Sequence, residues 1–250
     1  RNTCDCPSMP LNAPFEITRE RVEVSSDGLF LEASLSYPSE AQEIVHAALL
    51  LPAHPFLGGD MSSNVMSALA ATLAEQGFMT LAFNYRGIGR SQTHLALGIY
   101  QKQFWENSTS PEYEKTIFMD AEAAFEFLAA AAGQKARLSI VGYSFGSLPS
   151  LDLTLKLEKR VHKTCLISPP VIKWEMKEEY FQISHAKALF YSPNDFACPE
   201  AKLSLIYEKF SEPKCLIRFD ACDHFYLGQE RALSQQVVSF LKESGIGGIE

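Results

Sequence analysis

Gly142-Tyr143-Ser144-Phe145-Gly146 places a serine between two glycines, directly after the apolar run Leu138-Ser139-Ile140-Val141 and before a helical stretch. A serine at the tip of a strand–turn–helix junction can project its hydroxyl out of a sheet as a nucleophile. The flanking backbones then pass too close for a Cβ, so glycine is needed on both sides. The competing reading of Ser144 is an ordinary helix N-cap. A nucleophilic serine needs a base to take its proton, a carboxylate to orient that base, and N–H donors for the developing oxyanion. Candidates follow in the order Ser, Asp, His. Asp195 lies in Ser192-Pro193-Asn194-Asp195 and His224 in Asp223-His224-Phe225, each just beyond an apolar, strand-like run. Taken singly, Asp195 reads equally as a turn residue and His224 as a surface-loop histidine. Their joint placement after successive strands favours the catalytic set, because ligand sites of open α/β sheets lie at the carboxyl ends of strands. Asp220 and Asp223 are close to His224 but do not follow the strand before the last one, and read as loop or capping residues. The first oxyanion donor expected is the N–H of Phe145. The second comes from Pro52-Ala53-His54-Pro55-Phe56-Leu57-Gly58-Gly59-Asp60, where Phe56 is the choice, because Pro55 has no N–H. His54 reads as a residue that orders this loop. His46, His94, His162 and His185 carry no pattern and read as structural.

The elements that must carry these residues can be read from hydrophobic period and turn residues. Strands are expected over Glu20–Val24 and Leu29–Ser36, joined through Asp27-Gly28, a hairpin signal. Ile44–Leu51, a nearly continuous apolar run, reads as a strand buried on both faces, and Phe78–Phe83 as another buried strand; Arg137–Val141, Val161–Ile167, Ala188–Tyr191 and Cys215–Phe219 read as further strands. Helices are expected over Met61–Gln76, Glu114–Ala132, the stretch after Ser144, Glu200–Phe210 and Glu230 to about Glu243. This alternation after an antiparallel start predicts an α/β fold: a mostly parallel, twisted sheet of about eight strands with helices on both faces. Residues 16–250 read as one domain, preceded by a loose, Pro-rich segment at 1–15.

Composition excludes several function classes. The chain has 250 residues, a net charge of -8 and no Lys/Arg cluster, so nucleic-acid binding is not expected. No uninterrupted apolar run approaches the ~18 residues of a membrane span, and the N-terminus lacks the apolar core of a signal peptide. Six cysteines (4, 6, 165, 198, 215, 222) show neither C-x-x-C nor zinc spacing. No metal or cofactor is expected, and scattered thiols fit a reducing cytoplasm. Cys165 and Cys215 read as small buried hydrophobes, and Cys4 and Cys6 as part of the loose end.

The chain resembles the α/β-hydrolase superfamily from about residue 20 to its C-terminus. The resemblance rests on His54-Pro55 with Gly58-Gly59, on Asn84-Tyr85-Arg86-Gly87-Ile88-Gly89-Arg90-Ser91, on the Gly142–Gly146 pentapeptide, on Asp195-x-x-Cys198-Pro199 and on Asp223-His224-Phe225. The Arg86–Ser91 run lacks the third glycine of a dinucleotide loop. Within the superfamily the pattern is most similar to compact, uncapped esterases and dienelactone-hydrolase-like proteins. It implies Ser144 as nucleophile, Asp195 as orienting acid, His224 as base, and no large cap domain. A dienelactone hydrolase proper uses cysteine as nucleophile, so the serine points to the esterase side. Cys198 and Cys222 stand where other residues are usual in that group, which raises thiol sensitivity of the site against simple packing. Val171–Lys187 fills the usual position of a lid but is long enough only for a turn or two of helix. Ser91–Tyr113 carries Tyr100, Phe104, Trp105 and Tyr113 and is expected as an aromatic pocket wall, a plug, a dimer contact or a loop anchored on the body. His54, Tyr143, Cys198 and Phe225 are the further candidate pocket residues.

The implied activity is cleavage of a small-molecule carboxylic ester through an acyl-enzyme. Thioesterase, lysophospholipase, peptidase, acyltransferase and C–C hydrolase or lyase chemistries use the same residues, and a non-catalytic binding protein on the same fold is the alternative from another class. Oligomeric state is open between monomer and dimer.

Overall fold

In the computed structural model, residues 13–243 are described apart from 97, 100, 101, 103–110, 174, 175 and 221, with the helix backbone alone at 111–114. Eight strands form one sheet: β1 (Ile17–Ser26), β2 (Leu29–Pro38), β3 (His46–Leu51), β4 (Phe78–Phe83), β5 (Arg137–Tyr143), β6 (Val161–Ile167), β7 (Lys187–Tyr191) and β8 (Lys214–Arg218). Their order is β1-β2-β4-β3-β5-β6-β7-β8. β1 pairs antiparallel with β2, and β2 with β4; the remaining pairs are parallel. The helices that flank the sheet include α1 (Asn64–Glu75), α2 (Pro111–Ala132), α3 (Ser147–Lys156), α4 (Glu200–Lys209) and α5 (Glu230–Lys242).

Alternation along the strands builds both sides of the core. Ala47, Leu49 and Leu51 of β3 pack with Ala121, Ala124, Phe125 and Leu128 of α2 and Leu153 of α3. Ala48 and Leu50, pointing the other way, pack with Val65, Leu69 and Leu73 of α1 and with Leu233, Val237 and Phe240 of α5. That double burial explains why the central strands read as continuous apolar runs. From β3 the chain winds outward to β4, then returns to place β5 on β3's other side. This reversal of winding is a topological switch point, where neighbouring strand ends diverge and leave a crevice.

Several boundaries differ from expectation. β1 starts at Ile17 rather than Glu20, and Phe15 is not loose: its N–H donates to the Glu75 carbonyl at 2.8 Å. Residues 1–12, with Cys4 and Cys6, lie outside the described residues. α1 begins at Asn64, because residues 61–63 form a turn. Between Val171 and Lys187 the described backbone contains one short 3-10 helix, Glu178–Gln182, so no large cap is present there.

The Asn84–Ser91 run is structural. The Arg86 guanidinium is buried against the fully buried Asp120 carboxylate (Nη2–Oδ1 2.7 Å, Nε–Oδ2 3.1 Å), which also accepts from the Arg86 N–H and the Ser26 hydroxyl. A guanidinium so engaged is not a phosphate ligand. Arg86→Met would leave Asp120 buried without its counter-charge, and is expected to destabilise the fold by about 3–5 kcal/mol in urea unfolding. A loss below about 1 kcal/mol would mean that the carboxylate takes up a proton or reaches water.

Candidate active site

The turn after β5 carries the candidate nucleophile. Ser144 has φ +52°, a left-handed conformation unfavourable for a residue with a Cβ, and Ser144–Gly146 form a 3-10 turn that leads into α3. A Cβ at Gly142 would lie 2.2 Å from Ser150 Oγ and 2.4 Å from the Gly146 carbonyl oxygen. One at Gly146 would lie 2.1 Å from the Leu51 carbonyl oxygen. The glycines are therefore required by close backbone approach to β3 and α3.

Ser144, Asp195 and His224, expected from sequence to act together, do meet. His224 Nε2 is 3.0 Å from Ser144 Oγ, and His224 Nδ1 is 2.8 and 2.9 Å from the two Asp195 oxygens. All three residues are buried. Asp195 Oδ1 also accepts the N–H groups of Ala197 (2.8 Å) and Cys198 (3.0 Å). Burial pushes the Asp195 carboxyl up, but the His224 hydrogen bond and charge, together with the nearby Ser168 hydroxyl and the Ala197 N–H, outweigh it and hold the group below the ordinary carboxylate range.

The His224 loop is tied down from several elements. The Tyr143 hydroxyl donates to the His224 carbonyl (2.9 Å), and the two rings stack at 5.7 Å. Asn64 Nδ2 donates to the Phe225 carbonyl (2.8 Å), and the Ser192 hydroxyl to the Cys222 carbonyl. Asn64 and Ser192 had no sequence signal, since their partners are backbone atoms 161 and 30 positions away.

Ser144 and His224 face a cavity of about 510 Å³ lined by Ala53, His54, Leu57, Gly58, Ser63, Asn64, Tyr143, Ser144, Phe145, Pro170, Ile172, Lys173, Phe196, Ala197, His224 and Phe225. Its wall is mainly apolar, with Leu57, Ile172, Phe196 and Phe225 exposed around the rim. His54, Tyr143 and Phe225, expected from sequence near the pocket, line this cavity. Cys198 is not: it is fully buried and reaches the site only through its N–H to Asp195. Burial pushes both the Cys198 and the Cys222 thiol up, which keeps them protonated and favours packing over reactivity. Cys165 and Cys215 are buried as expected. Tyr100, Phe104 and Trp105 lie outside the described residues. Leu57, Ile172, Lys173 and Phe196 escaped sequence reasoning because nothing in a loop's composition says which way it folds.

Phe145 N–H sits at the start of the turn into α3, the end of a helix that favours negative charge. Phe56 is placed differently from a simple donor. Its N–H donates to His54 Nδ1 at 3.2 Å within the 3-10 turn Pro55–Leu57, and its side chain packs on the core. His54 therefore orders this loop through a defined bond, with its proton on Nε2. Burial, then the charge of Lys173, lowers its pKa to about 4. Burial, then Lys187, lowers His185 to about 4 as well. Both depressed values mean that the unfolded chain takes up protons first as pH falls. The stability they contribute is intact above about pH 6.5 and is lost as pH falls toward 4, by on the order of 2–5 kcal/mol for the pair. Urea unfolding at pH 7 and 4.5 measures this, and equal stability at the two pH values would contradict the burial of both rings.

Residues 49–199, more than half of the chain, match the model of the alpha/beta hydrolase fold family. The chain belongs to that family. An uncharacterized protein of Rickettsia prowazekii is 27% identical to this hydrolase-fold chain over 124 residues, which span 50% of the chain and 45% of that protein. An alpha-beta serine hydrolase homologue from Coxiella burnetii superposes with a TM-score of 0.71 at 22% identity, covering 88% of this chain and 95% of that one. A serine hydrolase without lid from Xanthomonas campestris gives 0.71 at 18% identity, covering 94% and 100%. These likenesses establish the α/β-hydrolase fold without a large cap. Among the described residues of this family member no group of three or more His, Cys, Asp or Glu side chains could hold a metal ion, and no helix is long and apolar enough to cross a membrane.

Proposed function

We propose that this chain is a serine hydrolase that cleaves carboxylic esters of small molecules through an acyl-enzyme, in the cytoplasm and without a cofactor. The observation that carries this reading is the continuous contact from Ser144 Oγ to His224 to Asp195 at the mouth of an apolar cavity. His224 Nε2 takes the Ser144 proton as Oγ attacks the ester carbonyl, and the tetrahedral oxyanion forms beside the N–H of Phe145. For Phe56 N–H to serve as the second donor, it must exchange its 3.2 Å bond to His54 for the oxyanion. His224 then hands the proton to the leaving alkoxide as the C–O bond breaks. It next deprotonates a water that attacks the acyl-enzyme, and returns that proton to Ser144. Asp195 holds the imidazole in the required orientation throughout.

The exposed apolar rim of Leu57, Ile172, Phe196 and Phe225 suits apolar or aryl acyl groups. The four described cysteines are buried free thiols, which supports a reducing compartment. Labelling with a fluorophosphonate probe tests the reading, because such probes react with an activated serine whatever the natural acyl group. Labelling is expected for the parent protein and not for Ser144→Ala or His224→Ala. A folded parent protein that does not label would reject the hydrolase reading in favour of a binding protein on this fold.

A further inference from the structure

Ser144 and His224 hang from distant parts of the sheet. Ser144 follows β5, in the sheet's interior, whereas His224 lies in the loop 219–229 after β8, the last strand in the sheet order. Three pairings, β5–β6, β6–β7 and β7–β8, separate the two strand ends. At ordinary strand spacing that is a span of about 14 Å. Small variations in twist accumulate over such a path, while proton transfer demands hydrogen-bond distance. The sheet by itself therefore does not fix the 3.0 Å separation of Ser144 Oγ and His224 Nε2.

Tyr143, the residue before Ser144, bridges that gap directly. It is buried, and its hydroxyl donates to the backbone carbonyl of His224 at 2.9 Å. A carbonyl only accepts, so the hydroxyl must keep its proton. Burial, with the charges of Asp195 and Asp223, raises its pKa above the ordinary tyrosine value and secures that proton. The Tyr143 ring also stacks on the imidazole, with centroids 5.7 Å apart and planes 30° apart. Phe196, from the Asp195 loop, meets the imidazole at 4.8 Å and 48°. The hydroxyl thus sets the position of the His224 backbone, and the two rings set the plane of its imidazole. The rest of the loop is tied to other elements. Asn64 of α1 donates to the Phe225 carbonyl, and the Tyr226 hydroxyl lies 2.9 Å from that of Ser168, just after β6. Tyr143 ties the loop to the turn that carries Ser144.

We propose that Tyr143 is a positioning residue, a buried strut that holds the His224 loop in register with the Ser144 turn. The proposal rests on the catalytic reading of Ser144 and His224. Because Tyr143 and Ser144 are consecutive, a displacement of the turn carries the strut with it, so nucleophile and base move together relative to β8. The hydroxyl is engaged by a backbone carbonyl rather than offered to a substrate, so its removal acts on kcat and not on substrate binding.

Tyr143→Phe keeps the ring and removes the hydroxyl. The kcat for p-nitrophenyl acetate is expected to fall about 10- to 30-fold with KM within about twofold, because a base displaced by a fraction of an ångström forfeits a factor of this order. The melting temperature is expected to fall by about 2–4 °C, as for one buried acceptor left unpaired. Ser26→Ala is the control. It removes the 2.7 Å hydrogen bond from the buried Ser26 hydroxyl to Asp120, at the β1–β2 turn, and should lower the melting temperature similarly while kcat stays within about twofold. A further readout needs no turnover: the far-downfield proton resonance of His224 Nδ1–H, which reports its bond to Asp195. It is expected to move upfield and broaden in Tyr143→Phe, as the loop loosens, and to stay in place in Ser26→Ala. An unchanged kcat in Tyr143→Phe, an unmoved resonance, or a kcat loss that Ser26→Ala reproduces would overturn the strut. Should the parent protein cleave no ester, the catalytic reading fails and the resonance alone decides the strut, so the two failures are distinguishable.

Discussion

Ser144→Ala is expected to lower kcat/KM for short-chain p-nitrophenyl esters by about 10⁴- to 10⁶-fold, with little change in thermal stability. The size follows from the loss of the covalent route itself, since only the oxyanion donors and the binding cavity remain. His224→Ala should cost a similar factor, because Ser144 Oγ has its base at 3.0 Å from His224 Nε2. The double variant should be no worse than either single one, as expected for groups that act as a unit. Asp195→Asn is expected to cost about 10²- to 10⁴-fold, because an amide can donate to Nδ1 and favour the wrong tautomer. Steady-state kinetics on the four variants checks the set. Losses that add in the double variant, or an Asp195→Asn enzyme with unchanged kcat, would reject the triad as one catalytic unit.

Gly146→Ala is expected to destabilise the fold by at least about 3 kcal/mol or to abolish soluble expression. The added Cβ would lie 2.1 Å from the Leu51 carbonyl oxygen and 2.6 Å from that of Pro52, and backbone cannot swing away as a side-chain tip can. The strand that must yield is β3, the centre of the sheet, paired with both β4 and β5. Relaxation would also move the His54–Gly59 loop. Thermal and urea unfolding give the number. A cost below about 1 kcal/mol would show that the turn flexes, and would remove the packing argument for glycine at this position.

The parts of this molecule that were legible in its sequence are those governed by local rules. Phe78–Phe83 and Val161–Ile167 were delimited to the residue, because an apolar run bounded by turn residues has few other ways to bury itself. The meeting of Ser144, Asp195 and His224 was legible because three strand-to-loop junctions, each recognisable locally, fall in an order that this sheet topology brings together. Phe56 shows the limit of that reasoning: its place in the loop suggested a donor, yet its N–H meets His54 Nδ1, an acceptor that depends on loop conformation. Cys198 shows another, since proximity to Asp195 in sequence did not say that its side chain turns away from the cavity.

By itself, then, the amino-acid order determined the strand and helix succession, the strained Ser144 turn and the identity of the three aligned residues, because periodicity, glycine at close approaches and turn chemistry act over a few residues. Tertiary structure alone decided the Tyr226–Ser168 hydroxyl pair, the Arg86–Asp120 pair and the walls of the cavity. Those depend on groups 58, 34 and more residues apart meeting at specific distances. Such meetings are set by how the sheet twists and where its winding reverses, and no local preference encodes either.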